Sequence, residues 1–355
     1  MNATSPPHLP ESAFVRRVII AVGLTLLLVG LLRLLGAAFD ILLLILASVL
    51  IALPLRAGAR LLCEKAGLNE SLGLALVALT TAAGLLGLGW WLSITIGDQV
   101  GELQDQAPRV IENFRQRIAG TRWGRRLLQE DITPERLLGE GNDPDWFGQL
   151  SGALSTTMGV VADLYVIFFI TLFVSAQPNL YRNGIILLTP KAGRKRAGEV
   201  LDKLADVLLK WLLGKLISMV FVGVVTFIGL SLLGMQLPGA LALLAGLFTF
   251  IPNFGPVLAL VPAVGFALLD STQMALYIII FYTAIQAVES NVLSPIVEKK
   301  LISMPPALVL TSQLLIGLFS GPLGLILATP VMAIVLVLVK MLYVRDTLKD
   351  DSVDM

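Results

Sequence analysis

Long apolar segments separated by short polar ones dominate this chain. A helix needs about 20 mostly apolar residues to cross the hydrocarbon core of a bilayer, so each long apolar segment is a candidate span. The candidate spans are residues 18–32, 41–53, 71–97, 151–177, 216–269, 271–288 and 301–339. The pattern predicts an all-α polytopic membrane protein with about eight transmembrane helices.

Charged residues or glycine and proline interrupt the first and the last apolar segments of the chain. The short stretch between residues 18–32 and 41–53 contains Arg33 and Asp40, and we interpret the two runs as a helical hairpin. The last apolar segment is interrupted at Gly321, next to a proline, which favours two antiparallel helices there.

Residues 216–269 contain no charge and are too long for one helix. Their second part, 239–269, is interrupted by Pro252 and Pro256, and prolines this close together break a helix. Each remaining piece is short for a span, so we predict a re-entrant or broken helix at 239–269. A full crossing is the alternative, and it would place the lysines at 299–300 outside the cell instead of in the cytoplasm.

The distribution of Lys and Arg predicts the orientation of the chain. Residues 182–215 carry a net charge of +5 and should face the cytoplasm, as should both termini, whereas residues 98–150 carry −3 and should face outward. The resulting organisation has five regions: residues 1–97 with the N-terminal tail and three spans, the outward insertion 98–150, the fourth span and basic loop 151–215, the transmembrane core 216–342, and the cytoplasmic tail 343–355.

Amphipathic helices are predicted in the outward insertion, residues 98–150. Apolar residues recur at helical spacing from Leu103 to Ile118, and the sequences at 133–135 and 143–145 are typical of helix N-caps followed by proline. These helices either pack on the spans or on a neighbouring subunit, or act as a gate or lid. The sequence leaves both interpretations open.

The composition agrees with membrane residence and removes several classes of function. Charged residues make up 14% of the chain and hydrophobic residues 56%, and the net charge of +1 does not indicate nucleic-acid binding. The single histidine, His8, and the single cysteine, Cys63, exclude Ser-His-Asp triads and His-rich metal sites. No phosphate-binding glycine motif occurs. We therefore predict no enzymatic activity, no metal site and no cofactor.

The broken helix is the first candidate for a functional site. Prolines free backbone groups inside an apolar stretch, and because lipid cannot satisfy such groups, they must face protein or a water-filled cavity. Transporters use broken helices in this way to present helix ends to polar substrates. Asn253 adds a donor and an acceptor at the break, beside Pro252, Gly255 and Pro256. A simple kink between two short helices is the alternative interpretation.

A second polar cluster follows in the apolar segment 271–288 and just beyond it. Gln286 and Glu289 share a helix face, with Asn291 close behind. A carboxylate within a span is costly and is a candidate proton carrier. The alternative is a helix-end carboxylate that is hydrogen-bonded to Gln286 or lies near the headgroups. Asp163, near the middle of 151–177, could line the pathway, stay protonated or bond to another helix.

The motifs in the second half of the chain resemble those of the AI-2E (autoinducer-2 exporter) family of bacterial membrane proteins. The similar sequences run in order through residues 239–340: Thr249-Phe-Ile-Pro-Asn-Phe-Gly-Pro256 followed by Pro262, then Gln286-Ala-Val-Glu-Ser-Asn-Val-Leu-Ser-Pro295, then Pro305, Gly317, Gly321, Gly324 and Pro330. The N-terminal half is similar only in its layout of spans, and Asp163 receives no support from the resemblance.

The resemblance implies a multi-pass transporter of the bacterial inner membrane that is homo-oligomeric. Members have been linked to export of the signalling molecule autoinducer-2 and to sodium or lithium ion/proton antiport. The positions carried over are Pro252, Asn253, Gly255, Pro256, Gln286, Glu289, Asn291 and Pro295. We expect the prolines and the glycine to shape the break or hinge, and the polar residues to line one site together with Asp163.

Three functions follow as hypotheses. The first is a secondary transporter or permease that exports a small polar metabolite or signalling molecule. The second is a monovalent cation/proton antiporter that uses Glu289 and Asp163, with a proton or sodium as coupling ion. The third is a non-transporting membrane scaffold whose outward insertion binds partners. In each case the lipid bilayer is a partner and nucleic acid is not.

Overall fold

The computed structural model describes residues 11–119, 146–293 and 304–350. Within these ranges the regular secondary structure is entirely helical, which confirms the prediction of an all-α membrane protein. Large apolar side chains such as Leu86, Trp90 and Val220 are exposed on the outer faces of the helices, as expected where lipid is the solvent. Pro295 and the lysines at 299–300 lie outside the described residues.

Nine α-helices follow one another along the described chain. Their bounds are α1 Glu11–Ala66, α2 Glu70–Ala119, α3 Trp146–Ala176, α4 Pro178–Leu187, α5 Arg194–Leu232, α6 Pro238–Phe248, α7 Phe254–Asp270, α8 Thr272–Val288 and α9 Pro306–Leu338. A 3₁₀ turn at Lys191–Gly193 precedes α5, and π-helical turns at Glu289–Leu293 and Val339–Arg345 follow α8 and α9.

The prediction of eight crossings is not confirmed. Among the described residues, 5 helices are long and apolar enough to span a membrane, and the number becomes 6 if α3 and α4 count as one bent span. The bend between α3 and α4 is 86°, and it falls at Gln177, where Pro178 begins the next helix. The short apolar helices α6 and α7 are not long enough to be counted.

The predicted hairpin at residues 18–53 is wrong. Both apolar runs belong to the single helix α1, which continues through Arg33 and Asp40 and even through Pro54. The connecting stretch carries Gly36 but no proline and no turn sequence, so one polar residue at each end does not stop the helix. Within the described part of this helix, Ala38–Ala66 is long and apolar enough to count as a span.

The break predicted at Gly321 is present, and the chain reverses there. Gly321 has φ 58° and ψ −141°, a conformation that glycine adopts at little cost. A Cβ on Gly317 would lie 3.6 Å from Leu325, although residues eight apart in a straight helix are separated by about 12 Å. The two arms of α9 therefore lie side by side.

Helices α6 and α7 form a second hairpin, which we call the α6–α7 hairpin. Its two ends meet, because Gln236 donates from Nε2 to Asp270 Oδ1 at 3.4 Å, and its tip comprises residues 249–253. α6 lies closely on α5, where Gly246 packs against Gly223. This geometry agrees with a re-entrant segment at 239–269 rather than with a full crossing.

Two apolar clusters hold the helices together. One joins α5 to the α6–α7 hairpin and α8 through residues such as Leu230, Leu241 and Ile278. The other joins α1, the first half of α5 and α9 through residues such as Leu43 and Val337. The first cluster packs on the second half of α5 and the other cluster on its first half. The tip of the α6–α7 hairpin lies between the two clusters.

The basic segment predicted as a loop, residues 182–215, is largely helical and includes the first half of α5. The boundary that we place after residue 215 therefore falls inside that helix. Arg196 near its start donates to Glu199 and to Asp346, which brings the C-terminal end of the described chain beside the basic segment. In the outward insertion α2 continues to Ala119, and the predicted caps at 133–135 and 143–145 lie outside the described residues.

Candidate functional site

Four elements line a cavity of about 280 Å³, which we call the first cavity. It lies where the tip of the α6–α7 hairpin meets the middle of α5, the end of α8 and the two arms of α9. Its described lining consists of Trp211, Lys215, Thr249, Ile251, Pro252, Asn253, Pro256, Gln286, Glu289, Ser290, Met304, Pro306, Val309 and Thr329. Three of the predicted polar residues, Asn253, Gln286 and Glu289, are thus brought together, with Pro252 and Pro256.

Backbone carbonyls freed at the hairpin tip are satisfied by side chains from other helices. Lys215 Nζ of α5 donates to the Thr249 carbonyl at 3.2 Å. Gln313 Nε2 of α9 donates to the Pro252 carbonyl at 2.8 Å, and its Oε1 accepts from Asn253 Nδ2 at 3.2 Å. Gln313 is fully buried. These bonds fix the tip where unsatisfied groups would otherwise be costly.

Asn253 also determines the backbone of the break. Its φ of 66° and ψ of −47° place it in a γ-turn, in which the Phe254 amide donates to the Pro252 carbonyl at 2.8 Å. This region of φ is unfavourable for most residues but is several-fold enriched in asparagine. Asn253 therefore has two roles. Its backbone adopts the positive φ of the turn, and its side-chain amide donates to Gln313.

Gly255 permits the close approach of the two arms of the hairpin. A Cβ at this position would lie 1.9 Å from the carbonyl oxygen of Phe248. Glycine is needed at position 255 because a side chain would have no room there. The backbone conformation is helical and would itself accept other residues. The predicted role of Gly255 in shaping the break therefore has a clear steric basis in the structure.

Glu289 is buried, with 7% of its surface exposed, and occupies the π-helical turn after α8. Gln286 Nε2 donates to Glu289 Oε2 at 2.9 Å and to Ser290 Oγ at 2.9 Å. Burying a carboxylate is costly unless partners compensate for the lost water, and its neighbouring amide supplies one such bond. The π-helical turn, a feature that is frequent at functional sites, widens the helix at this position.

Lys215 and Gln313 are two residues of this site that the sequence analysis does not identify. The sequence predicts that Lys215 belongs to the basic cytoplasmic segment. In the structure α5 is continuous through this position, and Lys215 contacts the hairpin tip. Gln313 is the one side-chain amide in the first arm of α9, where the other polar residues are hydroxyl-bearing, and this is the signal that the sequence offers. Lys215 and Glu289 are the two charged side chains among the described residues that line the first cavity.

A second cavity of about 380 Å³ adjoins the first. The two share Thr249, Pro256, Gln286 and Ser290 as lining residues. Asn291 lines the second cavity rather than the first, and its Nδ2 donates to the Ala287 carbonyl at 2.8 Å. The predicted polar residues at the end of α8 therefore line two adjacent cavities: Glu289 the first, Asn291 the second and Gln286 both.

Two predicted site residues are not brought to these cavities. Asp163 is exposed on α3, which contributes no residue to the described lining of either cavity. Pro295 lies outside the described residues. Within the described ranges, no group of three or more His, Cys, Asp or Glu side chains is arranged to hold a metal ion.

Comparison with known proteins gives one family. The family model described as AI-2E family transporter matches residues 18–343. The chain is 30% identical over 195 residues to the putative transport protein YrrI of Bacillus subtilis, which covers 54% of this chain and 55% of that protein. It is 26% identical over 188 residues to the AI-2 transport protein TqsA of Escherichia coli, which covers 53% of this chain and 52% of TqsA.

A third relative, a putative transport protein of Borreliella burgdorferi, is 28% identical over 193 residues, or 54% of this chain and 53% of the relative. The aligned regions thus span about half the length of the curated relatives that the chain matches. The family model, in contrast, covers nearly the whole chain, including the helices that enclose both cavities.

Proposed function

Because this chain belongs to the AI-2E transporter family, we propose that it is a secondary transporter that exports a small polar solute through the first cavity. Autoinducer-2 is the first candidate solute, since the similar protein TqsA is described as an AI-2 transport protein. The observation that carries the proposal is the polar cavity of about 280 Å³ at the tip of the α6–α7 hairpin. Broken helices of transporters present polar groups to substrates in this way.

The lining of the first cavity supports a solute with several hydrogen-bonding groups. Asn253 and Gln286 supply amides, and Thr249, Ser290 and Thr329 supply hydroxyls. The Thr329 hydroxyl is buried and has no hydrogen-bond partner among the described residues. This hydroxyl could therefore form a hydrogen bond with a polar solute that carries donors and acceptors.

The charges of the first cavity favour a neutral or zwitterionic solute. Lys215 and Glu289 are of opposite sign and balance each other, whereas a lone monovalent cation would be repelled by the ammonium group of Lys215. Cation/proton antiport is the second candidate, and the buried carboxylate of Glu289 is the observation in its favour. Asp163, on its exposed position, would act in that mechanism only from outside the first cavity.

The test is a flux assay with the purified full chain in liposomes. Wild type should accumulate autoinducer-2 in a saturable manner, and Glu289→Gln should lower the flux about tenfold because the buried negative charge that balances Lys215 is lost while the side-chain shape is kept. Glu64→Gln is the matched control, since Glu64 is exposed on α1 and lines neither cavity. We expect its flux to stay within about twofold of wild type.

The same vesicles distinguish the two candidate functions. An imposed pH gradient should persist when sodium or lithium salts are added to the wild type. Dissipation of the gradient by these salts, without any flux of autoinducer-2, would replace the proposal with cation/proton antiport.

The orientation and assembly of the chain are part of the proposal. We propose that it resides in the bacterial inner membrane as a homo-oligomer, as the family resemblance implies, with its C-terminus in the cytoplasm. Because α1 is one helix instead of a hairpin and α2 leads into the outward insertion, the start of α1 then lies on the outer side, contrary to the expectation of two cytoplasmic termini. The ion pair of Arg196 with Asp346 supports a common side for the basic segment and the C-terminus.

A further inference from the structure

The second cavity lies beyond the first along two helices. Thr226 of α5 is 11 residues after Lys215, and Tyr282 of α8 is 7 residues before Glu289, which correspond to about 16 Å and about 10 Å. Both displacements point toward the end of the molecule where Gln236 contacts Asp270. The second cavity therefore separates the first cavity from that end, which our orientation places on the outer side.

Two hydroxyl groups in the wall of the second cavity have unused hydrogen-bonding capacity. Thr226 Oγ1 and Tyr282 Oη are buried, and neither has a partner among the described residues. Their side chains are 0% and 8% exposed. Buried polar atoms are almost always bonded, so two such hydroxyls in the wall of one cavity are suited to hold a molecule that brings its own hydrogen-bonding groups.

The rest of the lining defines what that species can be. Apolar side chains such as Val222, Val257 and Leu260 form most of the wall, and none of the described lining residues is charged. An ion would lose its hydration shell there without a counter-charge. An uncharged molecule with hydroxyl or carbonyl oxygens on an apolar frame matches both the hydroxyls and the wall.

We propose that the second cavity is a separate binding site for the exported solute, held by hydrogen bonds to Thr226 and Tyr282. The inference rests on the proposed function and narrows the solute to an uncharged, hydroxyl- or carbonyl-bearing small molecule. The solute would pass from the charged first cavity to this uncharged site across the wall that Thr249, Pro256 and Gln286 form between them.

Thiol labelling tests this proposal directly, because Cys63 is the only cysteine of the chain. In a Cys63→Ser background, Ala287→Cys places a reporter in the second cavity, and Ala284→Cys places one on the same helix outside both cavities. N-ethylmaleimide is the labelling reagent, and autoinducer-2, glycerol and sodium chloride are the protecting solutes. We expect saturating autoinducer-2 or glycerol to slow labelling of Ala287→Cys at least fivefold, and to leave Ala284→Cys unchanged.

Removal of the hydroxyls shows whether they hold the solute. Adding Thr226→Val or Tyr282→Phe to the Ala287→Cys reporter should raise the half-protecting concentration about fivefold to tenfold. Tyr277→Phe is the control, since the Tyr277 hydroxyl already accepts from Gln273 and lies outside both cavities. Protection that is insensitive to both hydroxyl variants would overturn the proposal.

Flux measured on the same preparations keeps the two proposals apart. Flux of autoinducer-2 without protection of Ala287→Cys by either uncharged solute overturns the second site and leaves the transport function standing. Hydroxyl-dependent protection without flux supports the binding site and counts against transport. Protection by sodium chloride alone would overturn the assignment of an uncharged ligand.

Discussion

At the residue scale, single side chains on different helices satisfy the backbone of the hairpin tip. Lys215 and Gln313 each donate to a carbonyl that the break leaves outside regular helix, and Asn253 provides the turn itself. In a low-dielectric environment such groups must be bonded within the protein. The position of the tip, and hence the shape of the first cavity, therefore depends on a few polar side chains.

Replacement of Gln313 should show this dependence. Gln313→Leu keeps the approximate volume but removes the acceptor of the Asn253 amide and one of the two donors to the Pro252 carbonyl, which should cost about 1–3 kcal/mol. The unfolding midpoint of the purified protein should fall, and the flux should fall with it. Gln273→Leu, at an exposed position on α8, is the control and should leave both close to wild type. An unchanged midpoint in Gln313→Leu would show that the tip does not depend on this bond.

Gly255→Ala should destabilise the protein through overpacking. The added Cβ would lie 1.9 Å from the Phe248 carbonyl, and relieving such a clash typically costs about 1–3 kcal/mol, which exceeds the gain of about 0.5–1 kcal/mol from alanine in a helix. Gly84→Ala is the matched control, since nothing lies within 4 Å of its Cβ position. Thermal unfolding should therefore separate the two variants, and equal midpoints would contradict the steric argument.

At the element scale, the α6–α7 hairpin is attached at its base as well as at its tip. Gln99 of α2 accepts from the amides of Gly239 and Ala240 at 3.0 and 3.3 Å, in the first turn of α6. These amides have no partner within their own helix, so the contact acts as a cap supplied by another element. The helix that leads into the outward insertion is thus linked to the hairpin.

Removal of this cap should loosen the hairpin base. Gln99→Ala should lower the stability by about 1 kcal/mol, the typical cost of losing a side-chain cap. Hydrogen exchange at the amides of Gly239 and Ala240 should accelerate, because their acceptor is gone. Gln273→Ala serves as the control, and faster exchange at α6 in that variant would mean that the effect is not specific to the cap.

At the scale of the whole molecule, the contacts at the two ends of α5 agree with one orientation. At the start of α5, Arg196 pairs with Asp346. Just beyond the other end of α5, Gln236 bonds to Asp270, and Gln99 of α2 bonds to the first turn of α6. Arg196 is bonded to both Asp346 and Glu199, so this end carries a compact group of charged side chains. The positive charge predicts that this end is cytoplasmic.

Reporter fusions test the orientation. Green fluorescent protein at the C-terminus should fluoresce and alkaline phosphatase there should be inactive, whereas alkaline phosphatase fused after Ala119 should be active. Active phosphatase at the C-terminus would reverse the orientation and with it the assignment of the second cavity to the outer side.

The sequence alone predicted the helical membrane fold, the break at 239–269 and the reversal at Gly321, because hydrophobicity and proline act locally. It also predicted that Gln286 and Glu289 share a helix face, and it gave the hydrogen bond between them, which the structure shows, as the alternative to a proton-carrying role. The hairpin predicted at residues 18–53 is wrong. Arg33 and Asp40 suggested a turn between two apolar runs, but the backbone continues there as one helix, α1.

Only the tertiary structure decided which distant residues meet. Lys215, Gln313 and the hairpin tip are separated by many residues in the chain, and no local pattern indicates that they share a cavity. The same holds for Thr226 and Tyr282, which are ordinary in sequence and become informative only when both are buried without partners. Propensity and hydrophobicity determine where helices form and break, whereas the packing of helices against one another determines which side chains face the same space.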